Sequence, residues 1–98
     1  MENQHRQIKG YRELTQEEID LMNEIKSLGA QLQQLCGKVK AHIEAQSVIA
    51  QGMASSGDVS EFDRLSAADP AFWHGWGESG FKAGLMYLTR AVAQPTNF

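Results

Sequence analysis

The sequence predicts an all-α protein built on two long helices, and three observations lead there. A helix-start signal at Thr15-Gln16-Glu17-Glu18 precedes a run of apolar residues three and four apart. A proline-led apolar stretch follows Asp69-Pro70 and stops at Gln94-Pro95. The chain has only 98 residues, of which 42% are hydrophobic and 21% charged. That length allows one domain, residues 1–98, and a composition too apolar for disorder. A chain so short buries a modest fraction of its surface, so self-association is expected.

The elements follow in order. Residues 1–14 read as an arm, polar from Met1 to Arg12, with Arg6, Lys9 and Arg12 against Glu2. Thr15 and Glu18 fit a capping box, in which each side chain bonds the other's backbone N–H. Glu13, Glu17, Glu18, Asp20 and Glu24 crowd this start, where the helix dipole favours negative charge. Leu21, Ile25, Leu28, Leu32, Leu35 and Val39 then alternate four and three apart, close to a heptad seam. Met22, Gly29, Cys36 and Ile43 form a second row seven apart. The first helix is expected from about 16 to 51, on the order of 50 Å long.

Gly52-Met53-Ala54-Ser55-Ser56-Gly57-Asp58 reads as the connection, and Val59 to Ala68 as a short helix. Asp69 is expected to cap the second long helix, with Pro70 in its first turn and residues from about 71 to 93 in its body. Trp76, Phe81, Leu85, Leu88 and Val92 share one face of it. Gly77, Gly80 and Gly84 share another, which suits close approach of a second backbone or a flat ligand.

Several functions are disfavoured. The formal net charge of −3 suits no DNA partner. No apolar run is long enough for a transmembrane helix, and no signal core opens the chain, so a cytosolic location is the simplest reading. Cys36 stands alone, which precludes an internal disulfide, and its place on the apolar row makes it a core residue. His5, His42 and His74 are scattered, so no metal site is expected. The GWGESG stretch at 75–80 lacks the strand that a dinucleotide-binding turn needs. With no acid–base or nucleophile constellation, no catalytic residue, cofactor or enzymatic activity is expected.

Binding has more support. Tyr11 sits between basic residues four positions before the cap, and Lys26 lies about 16 Å along the helix from Thr15. A folded-back arm could bring the ring near that ammonium, or near a partner's. A ring stacks on a base and an ammonium pairs with a phosphate, which together make a minimal nucleotide site. The plainer reading stays open beside it, with Tyr11 a staple on the first turn and Lys26 a solvated lysine.

The stretches ENQHRQIKGYRELTQEEIDLMNEIK (2–26) and GLMYLTRAVAQPTNF (84–98) resemble a family of short phage proteins, the anti-CBASS sponges. These sequester the cyclic oligonucleotide signals of bacterial anti-phage defence. The resemblance covers both ends of the chain well and the middle poorly. It implies an N-terminal arm or short helix, two long antiparallel helices and a homohexamer built from dimers. It implies binding of cyclic dinucleotides such as cyclic GMP-AMP, without cleavage, in the host cytoplasm. A tyrosine of the arm stacks on a base in that family and a lysine of the first long helix pairs with phosphate. The matching positions here are Tyr11 and Lys26. The family's second pocket takes cyclic trinucleotides through an arginine before a tryptophan and a threonine near the C-terminus. Thr96 matches the threonine, but Phe72 stands at the arginine position, with Arg64 or Arg90 as the substitutes on offer. The alternatives are a helical protein–protein interaction or assembly protein and, behind it, a cyclic-nucleotide phosphodiesterase.

Overall fold

The structure is a computed structural model that describes residues 13–97. Among these it contains three helices and no strand: α1 (Gln16–Ser55), α2 (Ser60–Ala68) and α3 (Pro70–Ala93). The predicted all-α class with two long helices holds for the described residues. Contacts divide it into two compact units, one of residues up to Gln31 with those from Phe81 onward, the other of Leu32–Gly80.

The start of α1 is the capping box expected from its sequence. The Thr15 N–H donates to Glu18 Oε1 at 2.8 Å and the Glu18 N–H donates to Thr15 Oγ1 at 3.2 Å. Two backbone donors with no partner inside the helix are thereby satisfied. The end of α1 differs from expectation, because the helix passes Gly52 and stops only at Ser55. The stop signal is Gly57, at φ 99°. There the Gly57 N–H donates to the Ala54 carbonyl and the Asp58 N–H to the Met53 carbonyl, both at 3.0 Å. That pair of bonds is a Schellman motif, which needs a left-handed residue and therefore favours glycine. Gly52 has helical neighbours on both sides, and one glycine costs only about 1 kcal/mol against alanine.

A left-handed residue also closes the other two helices, there without glycine and with a single backbone bond. Asp69 (φ 50°) ends α2, its N–H donating to the Leu65 carbonyl at 2.9 Å. Its left-handed backbone makes it the C-cap of α2, and its carbonyl also accepts the Trp73 N–H at the start of α3, the position the sequence suggested. Gln94 (φ 53°) ends α3, its N–H donating to the Arg90 carbonyl at 2.7 Å, and Pro95 prevents continuation. At the head of α2 the Asp58 carboxylate accepts bonds from both the hydroxyl and the N–H of Ser60, which hold its pKa below the usual carboxylate value.

Packing uses the second apolar row of α1. In the first unit Gly29 lies against α3, so close that a methyl added to it would sit 3.3 Å from Leu85 Cδ1. In the second unit Cys36 and Ala50 are buried, and the Cys36 carbonyl accepts a 2.8 Å hydrogen bond from His74 Nε2 of α3. A carbonyl only accepts, so Nε2 of His74 carries the hydrogen. Also in this unit, Ile43 and Ala50 of α1, Phe62 and Leu65 of α2 and Pro70 of α3 line one crevice of about 200 Å³. Cys36 thus meets residue 74 while the later Ala50 shares a crevice with residue 70, so these parts of α1 and α3 run antiparallel.

Two expected faces are not buried among the described residues. Trp76, Phe81 and Leu88 are exposed, and the half-buried face of α3 runs instead through Pro70, His74, Leu85, Thr89 and Val92. Nor does the glycine face close on a neighbouring helix, since a methyl added at Gly77, Gly80 or Gly84 meets nothing within 4 Å. Periodicity shows that a face is apolar but not whether its partner lies in the same chain.

Two stability measurements test this account. Thr15→Ala removes one half of the capping box and is expected to cost about 1 kcal/mol in urea denaturation. Gly29→Leu is expected to cost about 1–3 kcal/mol through overpacking against Leu85. Gly37→Ala, whose added methyl meets nothing, is the control and is expected to stabilise by about 1 kcal/mol.

Candidate functional site

The site expected from the sequence has one member among the described residues. Tyr11 lies outside them, as does the arm up to Arg12. Lys26 is an exposed residue of α1, in the unit that also holds the start of that helix and the end of α3. Its root is rigid. The capping box sets where α1 begins, eleven residues earlier, and Gly29, one turn on, is packed by Leu85. Met22, one turn back on the same side, is half-buried. The stem of Lys26 therefore rises from a packed strip while its ammonium reaches water, as long basic side chains do. Among the described residues no ion pair engages that ammonium.

The field around it is acidic. Glu13, Glu17, Glu18, Asp20 and Glu24 precede Lys26, and no base lies among the residues from 13 to 25. An anionic ligand is therefore not drawn in by the helix as a whole. Any anion bound there would have to be held by short-range contacts.

The residues of the second expected pocket fall in different places. Phe72 belongs to the Leu32–Gly80 unit, where it is half exposed. Its ring meets Trp73 edge-on at 5.2 Å between centroids and lies 6.0 Å from Trp76 at a tilt. A shallow depression beside it is lined by Ala71, Phe72, Gly75, Trp76 and Ser79, which carry no cation. Thr96 and Arg90 belong to the other unit. Arg90 Nη2 donates to the Asn97 carbonyl at 3.1 Å and so folds the tail back on the last turn of α3, with Thr96 exposed at the bend. Arg64 is held on α2, where its guanidinium grips Glu61 through Nε at 3.0 and 3.1 Å and through Nη2. That pairing lowers the Glu61 pKa and raises that of Arg64. The structure therefore places Arg90 on the last turn of α3, bonded to the tail that carries Thr96, and leaves Arg64 with another partner.

Sequence reasoning missed the structural use of His74. It was one of three scattered histidines, and only the packing of α3 on α1 shows that its ring ties the two helices. A faint signal was available, because His74 stands four residues after Pro70, on the half-buried face of α3. Among the described residues no group of His, Cys, Asp or Glu could hold a metal, and no helix is long and apolar enough to cross a membrane.

No protein-family model matches the chain. A curated relative does: the chain is 40% identical over 105 residues to Anti-CBASS protein 2 of Pseudomonas phage JBD67, an alignment that covers 97% of each. Identity at that level over nearly the whole of both proteins places this chain in the phage anti-CBASS protein family.

Proposed function

We propose that the protein counters CBASS defence in the host cytoplasm by binding cyclic dinucleotide messengers, such as cyclic GMP-AMP, and holding them uncleaved. The observation that carries the reading is an exposed Lys26 on a rigid helix, fifteen residues after Tyr11, in a chain of the anti-CBASS family. In this scheme Tyr11 stacks on a base and Lys26 pairs with a phosphate. The ligand is nearly two-fold symmetric, with two bases and two phosphates. A two-fold pair of chains supplies two rings and two ammonium groups to match. The family resemblance adds a homohexamer built from such pairs.

Sequestration asks for affinity and abundance rather than turnover. A sponge lowers free messenger only if its sites outnumber the signal and its Kd lies below the signalling concentration. The acidic block before Lys26 bears on this chemistry as well. It disfavours unspecific polyanions and leaves recognition to short-range contacts. A trinucleotide surface would rest on Arg90 and Thr96, since Phe72 offers a ring where a phosphate needs a cation. The second reading, a helical protein–protein interaction or assembly protein, draws on the exposed apolar residues of α1 and α3.

Titration calorimetry with cyclic di- and trinucleotides tests the proposal. Tyr11→Ala is expected to weaken dinucleotide binding by roughly 5- to 150-fold, the worth of one stacked base. Lys26→Ala is expected to weaken it by roughly 10- to 150-fold through loss of a charged hydrogen bond. Ligand released by heating should be intact, and recovery of linear nucleotide would point to a phosphodiesterase. Unchanged affinity in both variants, with oligomerisation retained, would favour the assembly reading.

A further inference from the structure

The C-terminal tail is anchored on both sides of Thr96. On one side Gln94 takes the left-handed region (φ 53°), and its N–H donates to the Arg90 carbonyl at 2.7 Å. The chain therefore leaves α3 in one direction. Pro95 follows, half-buried, with its φ held by its own ring. On the other side Arg90 Nη2 reaches past this turn to the Asn97 carbonyl at 3.1 Å. Thr96 lies between the two anchors, exposed, and among the described residues no hydrogen bond engages its hydroxyl. A free hydroxyl on a segment so held is pre-organised. It can donate to a ligand oxygen without the entropy cost of ordering the tail on binding.

Arg90 itself is engaged twice. Its cation stands in the last turn of α3, where the helix dipole leaves negative partial charge. Its Nη2 is bonded to the tail. The acceptor is a main-chain carbonyl, so the bond requires a long donor at 90 and no particular side chain at 97. We propose that Arg90 is a positioning residue, a latch that holds residues 94–97 so that the Thr96 hydroxyl donates to a phosphate oxygen of a cyclic trinucleotide. The inference rests on the trinucleotide surface of the proposed function and gives its two residues different parts. Thr96 touches the ligand, and Arg90 acts through Thr96. Without the latch only the turn at Gln94 and the ring of Pro95 restrain the tail, and the hydroxyl spreads over many positions.

The test uses the full chain with Arg90→Ala, Thr96→Val or both, each shown to be folded by helical circular dichroism. Thr96→Val keeps the shape of the side chain and removes the hydroxyl. The heteronuclear NOE of the residue 96 amide is expected to be that of ordered backbone in the wild type and in Thr96→Val, and to fall in Arg90→Ala. In titration calorimetry with a cyclic trinucleotide, Thr96→Val is expected to weaken binding by roughly 10- to 150-fold, the worth of a hydrogen bond to a charged group. Arg90→Ala is expected to weaken it several-fold, and the double variant no further than Thr96→Val alone, because the two residues act in series. Arg90→Lys, which keeps a charged donor on a long stem, should recover most of the loss. Losses that multiply in the double variant overturn the positioning role and make Arg90 a ligand contact. An unchanged NOE in Arg90→Ala overturns the latch. A wild-type chain that binds no trinucleotide overturns the reading on which the inference rests, and the NOE in Arg90→Ala then judges the latch by itself.

Discussion

The described chain folds on a heptad-spaced row of modest residues on α1: Met22, Gly29, Cys36, Ile43 and Ala50. Gly29 accepts Leu85 because it has no side chain of its own. Cys36 and Ala50 are the buried residues of α1, and both are small. A helix lined with small residues lets its partner come close, and close approach brings His74 within 2.8 Å of a backbone carbonyl. Larger side chains in this row would hold the helices apart and remove that bond. The row therefore spends little apolar surface inside the chain, and the larger apolar residues remain outside.

That division has a consequence for function. Leucines, tryptophans and phenylalanines that an ordinary core would use stay exposed on α1, α2 and α3. A surface so apolar is stable in water only when something covers it, and for a chain of this size further copies of itself are the economical cover. The proposed ligand site, one ring and one ammonium, has the same requirement. Alone it is a weak anchor; repeated by symmetry it matches a ligand with two bases and two phosphates. On this reading, assembly supports both the fold and the affinity.

The helix starts and stops show how much of the fold the sequence displays. Thr15 and Glu18 were readable because a capping box depends only on residues three apart. The end of α1 was not. Gly52 and Gly57 both look like stops, and the choice between them depends on which carbonyls are left to satisfy. Asp69 also reads either way, since a short acidic residue suits a cap at both ends of a helix. The tail is similar. Arg90 and Thr96 were candidates through the family resemblance, yet the bond from Arg90 to the Asn97 carbonyl appears only when the left-handed turn at Gln94 is known.

By itself the sequence determined the helical class, the two long helices, the place where α1 begins and the spacing from Tyr11 to Lys26. These are local properties, set by the 3.6-residue period, by caps and by chain length. It also carried the family, because residues 2–26 form a long and specific block. Only the tertiary structure decided which of the two apolar rows of α1 serves the chain's own packing. Both rows have helical spacing and both are apolar. The choice depends on how closely α3 can approach, which is a property of the two surfaces together and of neither helix alone.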